Sequence, residues 1–143
     1  EGQILKELRN FIPAAGNMIR NPIDAENVFM DPRALEQTLR LVDAETNVDM
    51  MIIALHLDWF MEIGGGEHLI KLASLLGEQK EKGSLTKPMV VAWRSYRKSI
   101  EAQQTIKAFE DKLIEVGIPV YKGLPSAASA LSRWAAYHQY HAK

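Results

Sequence analysis

Residues Val48–Leu55 read VDMMIIAL, a short apolar run bounded by polar residues before it and by His56 after it. A run of this length without alternation is the pattern of a strand covered on both faces, as in the middle of a parallel sheet. Two further runs of the same kind follow, Pro88–Trp93 (PMVVAW) and Ile118–Tyr121 (IPVY). Between the first two lies GGGEHLIKLASLL, which opens a helix with Leu69, Leu72, Ala73 and Leu76 on its buried face. Between the last two, Ala102, Ile106, Phe109, Leu113 and Val116 recur at helical spacing; Ser99 is the candidate cap and Gly117 the left-handed residue that ends the helix. Strands alternating with helices of this length imply right-handed crossovers and a parallel sheet with helices on both sides. The three strands are expected side by side in chain order.

The flanks are helical. Ile4, Leu5, Leu8 and Phe11 share one helical face that Pro13 stops, and Asp31-Pro32 is an N-cap followed by proline at the first helical position, with Leu35, Leu39 and Val42 as the buried stripe. The last helix carries Ala127, Ala130, Leu131, Trp134 and His138 on its buried face. Between the first two helices, Asn17–Asp24 (NMIRNPID) reads as an extended segment broken by Asn21-Pro22. The expected fold class is α/β, a three-layer α/β/α, flavodoxin-like doubly wound parallel sheet. Residues 1–143 form one domain in this reading.

Composition excludes several classes of function. A formal net charge of -1 offers no field that would draw nucleic acid or an anionic membrane. With no cysteine there is no disulfide framework, thiol nucleophile or thiolate zinc site, and a cytoplasmic location is the expectation. No apolar run approaches the ~20 residues that span a bilayer. The chain starts Glu-Gly-Gln and enters a helical pattern at once, so it reads as a fragment of a longer polypeptide.

Ligands of open parallel sheets gather at the carboxyl ends of the strands, here after Asp24, Leu55, Trp93 and Tyr121. The segment after Leu55, HLDWFMEIGGGEHL, is the richest: three glycines before a helix leave backbone N–H groups and the positive helix end free for an anion. The candidate phosphate-binding residues are Asp58, Gly64, Gly65, Gly66 and Glu67. His56 and His68 flank the glycines, while His138 and His141 share the last helix; none of the four has the convergent partners of a metal site, and no catalytic residue is assigned. Arg94, Arg97 and Lys98 form a basic cluster, a solvated face or a contact for the phosphates of CoA. Asp58 also admits a rival reading, the phosphorylatable aspartate of a two-component receiver, with Lys122 as its lysine. A receiver also needs an acidic pair at the end of its first strand to hold magnesium, and no suitable apolar strand upstream of Val48 offers one.

In their order, AGNMIRNPIDA, NVDMMIIALHLDWF, KPMVVAW and GIPVYKGLPSAASALSRWAAYHQ resemble the last domain of the NDP-forming acyl-CoA synthetases, relatives of succinyl-CoA synthetase. The resemblance covers nearly the whole chain and is carried most by Gly117–Tyr121 with the Ala-rich helix, then by the Asn21-Pro22-x-Asp24 element. It implies a ligase that converts acid, CoA and nucleoside triphosphate into acyl-CoA, nucleoside diphosphate and phosphate. The route runs through an acyl phosphate and a phosphohistidine located outside this segment. It implies that Leu57–Glu67 presents a helix N-terminus to the phosphohistidine loop and that Asn21, Pro22 and Asp24 organise the neighbouring loop. No cofactor is expected in this segment; CoA, NTP or NDP, and Mg belong to the full enzyme. The implied partners are a CoA-binding Rossmann domain and a nucleotide-grasp domain. The family's first strand and its Gly-rich loop are missing ahead of Glu1, so the sheet edge is expected to be open to pairing, including as a homodimer. The alternative is a flavodoxin- or receiver-like regulatory module that binds phosphate or a protein without catalysis.

Overall fold

The structure, a computed structural model, describes residues 2–83 and 85–141. The chain packs as two compact units, Glu1–Asp49 with Glu78–Lys87 and Met50–Gly77 with Pro88–Lys143.

The second unit holds the sheet. Strands β1 (Met51–His56), β2 (Met89–Arg94) and β3 (Val120–Lys122) are parallel and lie in the order β1-β2-β3, as the crossovers required. Met51 pairs with Met89 and His56 with Arg94, while Val91 pairs with Val120 and Trp93 with Lys122. Helices α4 (Leu57–Glu81, as far as Gly77 in this unit), α5 (Ile100–Glu115) and α6 (Leu124–His141) connect and follow the strands. Val90 and Ala92 pack against Ala127 and Leu131 of α6, joined by Met50 and Tyr121. The alternate residues of β2 face the other way, where the Trp93 indole N–H donates to Glu110 of α5 at 2.9 Å. The sheet is therefore sandwiched between helices, and Met89–Trp93 of β2 are buried on both faces. This is the α/β, flavodoxin-like layering expected from the alternation of strands and helices.

Coverage of β1 differs from the expectation. Met51, Ile53 and Leu55 are buried, but Ile52 is 39% exposed and Ala54 is also exposed. The register places Ile52 beside Val90 and Ala54 beside Ala92, on the α6 face. Because α6 packs chiefly on β2 and β3, that face of β1 is only partly covered. The helix also outlasts the sheet: Trp134, expected on its buried face, is 44% exposed.

The three glycines do not form an extended loop but lie at a break between two helical segments. The helix starts directly after β1, at Leu57, and is kinked at Gly65 (φ 66, ψ -173), backbone that in practice only glycine adopts. The neighbouring glycines serve packing. A Cβ on Gly66 would stand 2.9 Å from Thr105 Cγ2, and one on Gly77 would stand 2.8 Å from Val116 Cγ1. The two glycines are eleven residues apart, as are their two partners, so the helices touch closely at points three turns apart. Gly77→Ala gains helix propensity of up to ~1 kcal/mol, but it drives a methyl into a β-branched side chain with little rotamer freedom. Overpacking of this kind costs about 1–3 kcal/mol, so a net loss of stability is expected in urea unfolding. Adding Val116→Ala should return part of it; a more stable Gly77→Ala protein would refute the close contact.

The first unit contains α1 (Gln3–Arg9), α2 (Glu26–Met30) and α3 (Pro32–Ala44). Asp31 caps α3 by accepting from Arg33 N at 2.9 Å, with Pro32 at the first position, as the sequence implied. Ser99 does the same for α5 through Ala102 N, and Gly117 has φ 71. Helix α1 ends at Arg9, short of Phe11 and Pro13. Asn17–Asp24 is not a strand of the parallel sheet. Met18 and Asp24 exchange two backbone hydrogen bonds, of 2.8 and 2.7 Å, closing the segment on itself around a cis Asn21-Pro22 bond. The chain's own fold-back satisfies the donors that a neighbouring strand would otherwise take.

Candidate functional site

A cluster of hydrogen-bonded polar groups lies at the carboxyl ends of β1 and β2. Two residues beyond the last strand pair, His56 with Arg94, Asp58 in the first turn of α4 lies beside Tyr96. Asp58 Oδ2 accepts from Tyr96 N at 2.8 Å, and Oδ1 accepts from the Ser95 hydroxyl. His56 Nε2 lies 3.6 Å from Oδ2, and Arg97 Nε 3.9 Å from Oδ1. Arg97 also donates to Glu62 Oε1 at 3.2 Å, its own N–H bonds Ser95 Oγ, and its carbonyl accepts from Gln103 Nε2 at 2.7 Å. The His56 ring meets Tyr96 edge-on at 5.9 Å.

Burial pushes the Asp58 carboxyl upward. The Ser95 hydroxyl, the Tyr96 amide, His56 and the Arg97 amide more than offset it, and the net shift is downward. The carboxylate sits in the first helical turn, where it also complements the positive end of the helix. It is a fixed anion with both oxygens engaged, and it ties the loop Ser95–Arg97 to the start of α4. Its chemistry is that of a positioner: each oxygen holds a donor, the Ser95 hydroxyl on one and the Tyr96 amide on the other.

The sequence-derived candidates fall into separate places. Asp58 is in this cluster, whereas among the described residues no hydrogen bond joins Gly64, Gly65, Gly66 or Glu67 to it. Gly64 packs against His68, and His68 stacks on Phe60 with ring centroids 5.8 Å apart. His56 and His68 thus have different ring neighbours, and the Nε2 of each is buried without a hydrogen bond among the described residues. Asn21, Pro22 and Asp24 belong to the closed loop of the other unit, where the Asp24 backbone makes the bridge. Lys122 lies over the Trp93 ring at 5.7 Å. Arg97 of the basic cluster is an ion-pair partner of Asp58 and Glu62. Among the described residues, no group of three or more His, Cys, Asp or Glu is placed to hold a metal ion. Nor is any helix among them long and apolar enough to cross a membrane.

Ser95, Glu62 and the Tyr96 amide were not singled out from sequence. The signal for the last was the strand register: the offset of 38 residues between β1 and β2, extended two residues past the strands, brings Asp58 to Tyr96. In comparisons with known proteins, no family model, no curated protein and no solved structure matches this chain.

Proposed function

We propose that this chain is a flavodoxin-like domain of an NDP-forming acyl-CoA synthetase, a wall of the phosphoryl-transfer site rather than the source of its nucleophile. The observation that carries the reading is the state of Asp58. At the strand ends, where ligands of parallel sheets bind, this carboxylate is already held by the Ser95 hydroxyl and the Tyr96 amide, one donor on each oxygen. A domain built this way offers a rigid, preorganised edge and leaves the bond chemistry to groups elsewhere in the enzyme. The phosphohistidine, the nucleotide with its Mg, and CoA then belong to other domains of the parent. The incomplete second layer over Ile52 and Ala54 supports a domain that packs within a larger assembly.

The receiver-like alternative asks Asp58 to attack a phosphoryl group beside a magnesium ion. Its two oxygens are hydrogen-bonded, no metal-holding group surrounds it among the described residues, and Lys122 rests on Trp93. Asp58 and Lys122 are thus occupied with structural contacts where a receiver would use them for chemistry.

The parent polypeptide, incubated with carboxylic acid, CoA and γ-labelled nucleoside triphosphate, should yield acyl-CoA and nucleoside diphosphate in equal amounts. A base-stable, acid-labile phosphoenzyme should map outside residues 1–143. Hydroxylamine-labile phosphate on Asp58, or no acyl-CoA with any acid of a broad panel, would overturn the proposal.

A further inference from the structure

In the strand-end cluster, His56 has polar atoms still unspent. Its Nε2 is buried, makes no hydrogen bond among the described residues and lies 3.6 Å from Asp58 Oδ2. Nδ1 also makes no hydrogen bond there but is not buried, and the side chain is 38% exposed. A carboxylate beside one ring nitrogen draws the proton to that nitrogen and leaves the other with its lone pair. With Nε2–H turned to Asp58, Nδ1 presents an acceptor to solvent at the carboxyl end of β1. Tyr96 braces the ring edge-on at 5.9 Å, and its own N–H is held by Asp58.

Arg94 stands beside it. The two residues are register partners, and strand alternation sends both side chains to the α6 face. Arg94 is exposed, and its guanidinium makes no hydrogen bond or ion pair among the described residues. Arg97, by contrast, is spent on Asp58 and Glu62. Ala54 and Ile52 share the α6 face, two and four residues back along β1, and both are exposed. At ~3.3 Å per residue they extend the surface by about 13 Å.

We infer that His56 and Arg94 form a binding site for a phosphate monoester, whose apolar substituent lies over Ala54 and Ile52. The chemistry of the pair selects this ligand. A guanidinium takes ionised phosphate oxygens in a forked pair of hydrogen bonds. A neutral imidazole nitrogen accepts from the proton-bearing oxygen that a monoester keeps up to its second pKa of about 6. An ionised carboxylic acid would use Arg94 and leave Nδ1 without a donor. Asp58, the nearest anion, sits at the other ring nitrogen, and its charge is met by the Ser95 hydroxyl, the Tyr96 amide and Arg97. The site lies where ligands of parallel sheets gather. It is separate from the phosphohistidine of the ligase reading, and a neighbouring domain of the parent would close over it.

Butyl phosphate titrated into the isotope-labelled chain, followed by NMR near neutral pH, tests this. In the free chain, His56 should carry its proton on Nε2 and the lone pair on Nδ1. Butyl phosphate should shift Nδ1 and the Arg94 side chain together, with a Kd on the order of 1 mM. Inorganic phosphate, which has nothing to lay over Ala54 and Ile52, should bind about fivefold more weakly. Arg94→Gln should weaken butyl phosphate by about tenfold or more and His56→Phe by about fivefold, with unchanged circular dichroism; Arg94 is exposed, so its variant keeps the fold. Lys98→Gln, which removes a cation from the same loop, should leave binding as it was. A proton on Nδ1 in the free chain would overturn the inference. So would equal affinity for the two phosphates, or a loss with Lys98→Gln as large as that with Arg94→Gln.

Discussion

Asp43→Ala is expected to cost about 3 kcal/mol or more, chiefly in the unit made of Glu1–Asp49 and Glu78–Lys87. Asp43 is buried near the end of α3, and its carboxylate gathers the segment that returns from α4. Oδ1 accepts from Thr86 N and Lys87 N, both at 2.9 Å, and Oδ2 accepts from Thr86 Oγ1 at 2.9 Å and Thr86 N at 3.0 Å. The Lys87 ammonium adds bonds to the carbonyls of Val42 and Glu45. Charge-assisted hydrogen bonds contribute roughly 1.5–3 kcal/mol each, and these share one carboxylate, so their sum is not additive. Alanine leaves three donors without their acceptor. Asn restores the shape but turns an N–H₂ group toward donors, so it should recover less than half.

The sign of the pH dependence follows from the same contacts. Burial raises the Asp43 pKa, but the Lys87 amide, the Thr86 amide and hydroxyl and the Lys87 charge together bring it below the usual carboxylate value. A carboxylate with a depressed folded pKa contributes stability that is full above its unfolded pKa of about 3.9 and disappears as pH falls through the folded value. The gap between wild type and Asp43→Ala should therefore be widest near neutrality and close in acid. Urea unfolding followed by circular dichroism, with amide exchange at Thr86 and Lys87, measures both effects. A gap below about 1 kcal/mol at neutral pH, or one that does not narrow in acid, would contradict this account.

The parts of the fold that depend on local chemistry were legible in the sequence. Asp31 and Ser99 cap helices because short oxygen-bearing side chains reach the next free N–H groups, whatever the tertiary context. The three strands and their parallel order followed from short apolar runs separated by single helices. What escaped the sequence depends on neighbours distant in the chain. The glycines at 64–66 read as a phosphate-type loop, but two of them answer to the side chains of His68 and Thr105, and the third takes up a kink. Ile52 and Ala54 share the apolar run of β1, yet their exposure is set by where α6 lies, information absent from the run itself. At the candidate site Asp58 stood out as a residue. Its donors did not, because the Tyr96 amide has no side-chain signature and only the strand register brings it there.

Gln79→Met is expected to stabilise the chain by about 2 kcal/mol and to raise Tm by roughly 6 °C. Gln79 is 1% exposed, and among the described residues neither its Nε2 nor its Oε1 has a hydrogen-bond partner. Other buried polar side chains are served: Thr38 Oγ1 donates to the Ala34 carbonyl at 2.8 Å, and Asp43 is saturated. An unpaired amide taken out of water costs about 1–3 kcal/mol in proteins. Met has nearly the length and volume of Gln, is as good a helix former, and brings no group that needs a partner. Gln79→Glu should run the other way, because an ionised carboxylate in the same place is costlier than an amide. The expected order of stability at neutral pH is Met above Gln above Glu, read from urea midpoints at a common m-value. If Met instead destabilises by more than about 1 kcal/mol, the amide is being satisfied by an internal water, and Gln79 is an anchor of the fold instead of a burden on it.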